Sequence, residues 1–119
     1  MVTGPVPGTM QIIEVYLRDA TPRPRAVVAR VPARAGIFND LTKWDAKSVV
    51  IADTSKGLIW KVDIESRESA VAISDPAMTI LPNASIQIGI NGVLKVFNGF
   101  VYYTSTARQV SCRVLVDAL

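Results

Sequence analysis

The sequence predicts an all-β protein built from repeated four-stranded antiparallel units. Three observations predict it. Apolar residues alternate with polar ones or form short runs, as strands require, and no stretch shows a helical period. Val and Ile are prominent among the apolar residues, and the seven glycines and seven prolines punctuate the chain. The chain also repeats itself at one fixed spacing.

Residues 1–9 read as a loose Gly/Pro lead-in. QIIEVYL, Gln11 to Leu17, alternates as a half-buried strand does. RDATPRPR reads as a broad turn and AVVARV, Ala26 to Val31, as the returning strand. Together they predict a hairpin within residues 10–35. A second unit spans 36–76. IFNDLTKW is strand-like, DAKS turns, and VVIAD is a nearly continuous apolar run, as a strand buried on both faces would be. TSKG turns back, with Gly57 free to take positive φ, and LIWKVDI and AVAIS complete four strands. DPAMTILPNAS reads as a longer loop. A third unit, 86–117, holds IQIGINGVLKVF, FVYYT and QVSCRVLV, with Asn98-Gly99 as its hairpin turn.

Register tests the repeat. Asn39 and Asn91 are 52 positions apart. The same ungapped offset aligns Lys43 with Lys95, Val49 with Val101, Thr54 with Thr106 and Val62 with Val114. Four strands in about 40–50 residues is the period of a propeller blade. The chain then holds about two and a third blades: an outer hairpin, a whole blade and most of another.

Composition narrows the chemistry. Half of the residues are hydrophobic and 19% are charged, as in a globular domain of 119 residues with one modest core. The net charge is +3, and Arg18, Arg23, Arg25, Arg30 and Arg34 crowd one segment. No aromatic stacking pattern accompanies them, so they read as exposed loop and strand residues rather than a nucleic-acid surface. With no histidine, a Ser-His-Asp triad, a Cys-His pair and histidine metal ligands are excluded. There is no G-x-S-x-G elbow and no phosphate-binding loop. The single cysteine, Cys112, cannot form an internal disulfide and reads as a small buried hydrophobe. No apolar run approaches the ~20 residues of a membrane-spanning helix, so no membrane contact is expected. The N-terminal stretch lacks a signal peptide's basic head and apolar run, which leaves the cytoplasm as the default location. Asn83-Ala84-Ser85 fits a glycosylation sequon but reads as a loop. Trp44, Trp60, Tyr102 and Tyr103 read as blade core.

Two blade starts, GIFNDLTKWD and GINGVLKVFNGFVYYTST, resemble the gluconolactonase / senescence-marker-protein superfamily, which includes the calcium-dependent phosphotriesterases. VVIADTSKGLIWKVD is similar to blades of its fungal members in specialised metabolism, some of which guide hetero-Diels–Alder cyclisations. The resemblance runs from about Gln11 to Asp117 and implies an incomplete six-bladed propeller. By the same resemblance, asparagines at blade starts point into the central channel and some bind calcium. The matching positions are Asn39 and Asn91, with Asp40 beside the first. Asp53 and Ser105 are equivalent across the repeat and are further channel candidates, with turn capping as the alternative. The carboxylates that complete the family's calcium site have no counterpart in the sequence.

Three readings of function follow. The first is a cyclase acting on a small-molecule substrate, with no cofactor required. The second is a calcium-dependent lactonase or phosphotriesterase, which needs the ion to polarise a carbonyl or phosphoryl oxygen. The third is a truncated, non-catalytic propeller fragment. Open terminal blades also predict assembly, since three copies of about two blades would close a six-bladed ring as a trimer.

Overall fold

A computed structural model describes residues 2–3, 11–16, 23–30, 34–95 and 99–116. The fold is all-β and antiparallel, in three sheets. Strands β1 (Val2–Thr3), β2 (Gln11–Tyr16) and β3 (Arg23–Arg30) form the first, in that order. Strands β4 (Phe38–Lys43), β5 (Ser48–Asp53), β6 (Leu58–Asp63) and β7 (Ser69–Ser74) form a four-stranded meander. Strands β8 (Ile90–Lys95), β9 (Phe100–Ser105) and β10 (Val110–Leu115) form the third sheet. Among the described residues the sole helical element is a 3₁₀ turn, Pro76–Met78, capped by the Asp75 side chain on the Ala77 amide.

The 52-residue spacing is structural. Strands β8, β9 and β10 begin and end 52 residues after β4, β5 and β6. The ladders repeat as well: Ser48 pairs with Asp63 where Phe100 pairs with Leu115. Even the irregularities recur. A register shift between Phe38 and Leu41 on β4 returns between Ile90 and Val93 on β8.

The meander is the middle layer, and its two faces bury different residues. Ile51, Trp60, Val62 and Phe38 pack with Ile12 of β2 and Ala35. Val50, Ala52, Ile59 and Ile73 pack on the opposite side against Ile90, Val93, Val101 and Tyr103 of the third sheet, with Met78 between. Strand β5 is therefore enclosed on both faces, which is why it needs an uninterrupted apolar run. Each fully enclosed Val or Ile contributes roughly 1.5–3 kcal/mol relative to exposure. Trp44, Trp60 and Tyr103 are core, as expected, whereas Tyr102 is half-buried.

Several expectations change. Val2–Thr3, inside the stretch read as a lead-in, pairs with Ile12 and Gln11. The stretch read as the RDATPRPR turn gives its last residues to β3, which starts at Arg23 and includes Pro24. Strand β8 starts at Ile90, not Ile86. The intervening residues make cross-connections instead: the Gly89 amide donates to the Thr54 carbonyl at 3.2 Å and the Ala107 amide to the Ile88 carbonyl at 2.8 Å. Cys112 is half-buried opposite Tyr103 rather than enclosed. Asn98 lies outside the described residues, while Gly99 takes φ 80°, as a hairpin glycine does. Of the five clustered arginines, Arg34 is exposed, with its guanidinium 5.3 Å from the Trp60 ring centroid.

Candidate functional site

The register shifts on β4 and β8 locate the site. A β-bulge leaves residues out of the ladder and re-aims their side chains, which is why bulges gather beside active sites. Here the bulged pairs are Asn39-Asp40 and Asn91-Gly92, at the starts of strands that lie side by side. The Asn39 Nδ2 donates to the Asn91 Oδ1. The Asn91 Nδ2 donates in turn to the Thr106 Oγ1 at 3.0 Å. The asparagines predicted from the repeat are thus joined to each other, and Thr106 extends the ladder.

Asp40 holds the two sheets together from one residue further along. Its Oδ2 accepts the Val93 amide at 2.9 Å and its Oδ1 accepts the Leu41 amide at 2.9 Å. The equivalent residue on β8 is Gly92, whose amide donates to the Thr104 Oγ1 at 3.0 Å. A Cβ on Gly92 would stand 3.2 Å from that oxygen and 3.8 Å from the Asp40 Oδ2. A cavity of about 250 Å³ opens here, lined by Asp40, Gly92, Leu94, Tyr102, Thr104 and Ser111. Tyr103 also borders it. Burial, then hydrogen bonding to Cys112 and the nearby Asp75 charge, pushes the Tyr103 hydroxyl above its ordinary value, so it stays neutral.

A backbone spine supports this arrangement. The Thr54 amide donates to the Ile37 carbonyl at 2.8 Å, and 52 residues later the Thr106 amide donates to the Gly89 carbonyl at 3.0 Å. Gly89 links the two halves through its own bond to Thr54. Any ligand touching Asn91 or Thr106 therefore bears on atoms fixed by both repeats.

Asp53 and Ser105 are not part of this surface; they are 0% and 1% exposed. Asp53 does cap its turn, accepting the Lys56 amide at 3.1 Å and the Ser55 hydroxyl at 3.3 Å. It also latches across the sheet, accepting the Gly36 amide at 2.7 Å and the Trp60 indole N–H at 3.0 Å. In the third sheet Ser105 and Cys112 take the places of Asp53 and Trp60. The Ser105 Oγ has no hydrogen-bond partner, so the latch belongs to one repeat alone.

Among the described residues no three His, Cys, Asp or Glu side chains gather as a metal-binding group. Asn39, Asp40 and Asn91, singled out from the sequence, lie together at the β4–β8 contact. The sequence did not reveal the bridge from Asp40 to Val93 or the part played by Thr104. The aligned Thr54–Thr106 pair was the available signal for Thr106. Neither a protein-family model nor a curated protein matches this chain.

Proposed function

We propose that this chain supplies blades of a gluconolactonase / senescence-marker-protein-like propeller and acts in fungal specialised metabolism, orienting a small molecule for a cyclisation of hetero-Diels–Alder type. The observation that carries the reading is the repeated bulge, which sets Asn39 and Asn91 in contact at the starts of equivalent strands. An amide nitrogen carries two hydrogens. The Asn39 nitrogen uses one on Asn91 and has a second to offer a substrate carbonyl. A hydrogen bond to the carbonyl of an oxygen-containing diene withdraws electron density from it, making it more reactive towards an electron-rich alkene, and fixes its orientation. Cycloaddition then needs no acid, base or ion, because a near-attack geometry alone contributes up to about 7–11 kcal/mol.

The calcium-dependent hydrolase reading uses the same residues less well. Calcium takes roughly six to eight oxygens. The Asn91 Oδ1 already accepts from Asn39, and both Asp40 oxygens accept backbone amides. Each of these oxygens keeps a second lone pair, but Asn39, Asn91 and Asp40 together supply fewer oxygens than a calcium shell takes, and no step is drawn through the ion.

One experiment separates the readings. A polyene bearing an enone or quinone-methide diene and an internal alkene is followed with and without protein, in chelator and in calcium. The expected result is cyclisation at least about tenfold faster with protein, equal in both buffers. An unchanged rate overturns the proposal. Lactone or phosphotriester hydrolysis that stops in chelator and returns with calcium establishes the other reading.

A further inference from the structure

Thr54 breaks the symmetry of the repeat at a single atom. Its Oγ1 is enclosed and, among the described residues, has no hydrogen-bond partner. The residue as a whole is 8% exposed. Its counterpart in the second repeat, Thr106, is served: the Asn91 Nδ2 donates to the Thr106 Oγ1 at 3.0 Å. The backbone around the two threonines is alike. The Thr54 amide donates to the Ile37 carbonyl at 2.8 Å, and the Thr106 amide donates to the Gly89 carbonyl at 3.0 Å. In each repeat the asparagine stands two residues after that carbonyl, within the same register shift. The Thr54 Oγ1 is therefore placed with respect to Asn39 as the Thr106 Oγ1 is with respect to Asn91. The asparagine side chain is what differs. Asn39 turns away from its threonine and donates to the Asn91 Oδ1.

We propose that the Asn39 side chain has two positions, one bridging to the Asn91 Oδ1 and one turned back onto the Thr54 Oγ1, and that the second uncovers the Asn91 oxygen. Each position occupies one hydrogen of the Asn39 amide, so the balance turns on the two acceptors. The bridge to Asn91 lies at the surface, where water replaces it at little cost. An enclosed hydroxyl has no such substitute, and leaving it unmet carries its desolvation penalty. Turning back thus trades an exposed bond for an enclosed one. Asn39 is exposed, so its rotation meets little resistance. Asn91 demonstrates that a bulged asparagine adopts the turned-back orientation. The bridge closes the Asn91 oxygen to hydrogen-bond donors, and the second position opens it. A ligand hydroxyl or N–H that bonds this oxygen shifts Asn39 towards Thr54, because it binds only the open arrangement. The inference does not rest on the cyclisation reading, and its test needs no substrate.

The test removes each acceptor in turn. Thr54→Val takes away the second acceptor and keeps the side-chain shape, while Asn91→Ala takes away the first. The readout is the pair of side-chain amide shifts of Asn39 in the isotopically labelled full chain. Rotation of an exposed side chain is fast enough to give one averaged resonance. The wild-type resonance is expected between those of Thr54→Val and Asn91→Ala. Thr54→Ser, which keeps the hydroxyl, is expected to stay with the wild type. Unfolding midpoints supply a second readout that a purely structural role for Thr54 would not move. Thr54→Val lowers the midpoint by a few degrees in the Asn91→Ala chain and leaves it unchanged in the Asn39→Ala chain. A wild-type resonance coincident with that of Thr54→Val, or equal midpoint shifts in the two backgrounds, would each overturn the proposal.

Discussion

Asp53→Ala lowers the unfolding free energy by about 3–5 kcal/mol, the range for removing one partner from a buried charged network. The carboxylate is fully enclosed and accepts from Gly36, Ser55, Lys56 and Trp60. Alanine leaves the Gly36 amide and the Trp60 indole N–H without that acceptor in a place water does not reach. Each stranded donor costs roughly 1–3 kcal/mol. The loss is also architectural, since these bonds tie the segment entering β4 to the β5–β6 turn. Trp60→Phe tests the indole bond separately: it removes one donor, retains an aromatic ring and costs less. The two substitutions share a bond, so their combined effect falls short of the sum. Urea unfolding followed by circular dichroism reads all of these. A loss below about 1 kcal/mol for Asp53→Ala would remove the latch from the account.

Gly89→Ala is the second large effect, at about 3 kcal/mol, the upper end of overpacking costs. A Cβ at this position falls 2.4 Å from the Met78 carbonyl oxygen and 2.8 Å from the Thr54 carbonyl oxygen. Both are backbone atoms, and neither can swing aside as a side chain could. The residue also donates to Thr54 and accepts from Thr106, so displacement strains the spine joining the repeats. Gly92→Ala is the control. Its nearest neighbour is the Thr104 hydroxyl at 3.2 Å, which can give by rotation, and a cost of about 1 kcal/mol or less is expected. Thermal or urea unfolding of both variants checks the contrast; equal losses would refute the steric argument.

The contrast between these glycines shows what the sequence does and does not disclose. Strand β5 was legible because enclosure on two faces demands a continuous apolar run, and Val49 to Ala52 supply it. The repeat was legible because the matches, Val62 with Val114 and Lys43 with Lys95 among them, hold at one ungapped offset, and the strands recur at that same offset. The bulges left a trace in the sequence that does not name them. The apolar spacing lengthens from two to three residues at Phe38-Asn39-Asp40-Leu41 and Ile90-Asn91-Gly92-Val93, a break that could equally mark a loop, and the ladder geometry identifies it as a bulge. Ile86-Gln87-Ile88 alternates like a strand yet forms none, because Ile88 and Gly89 make cross-links to Ala107 and Thr54. The Asp53–Trp60 latch was hidden for a different reason. Asp53 sits opposite Leu58 and Trp60 opposite Ile51, so their bond is a diagonal one across the β5–β6 pair. The same diagonal exists between Ser105 and Cys112, where neither residue reproduces the bond. A repeat in sequence thus locates equivalent positions without guaranteeing equivalent interactions.

The two repeats meet at the bulged starts of β4 and β8, through Asn39 and Asn91. A double-mutant cycle of Asn39→Ala and Asn91→Ala, read as unfolding free energy in urea, measures that contact directly. A coupling energy of about 0.5–1.5 kcal/mol is predicted, the net worth of one hydrogen bond between side chains. Strictly additive losses would contradict it, and would separate the two strand starts on which the proposed substrate site depends.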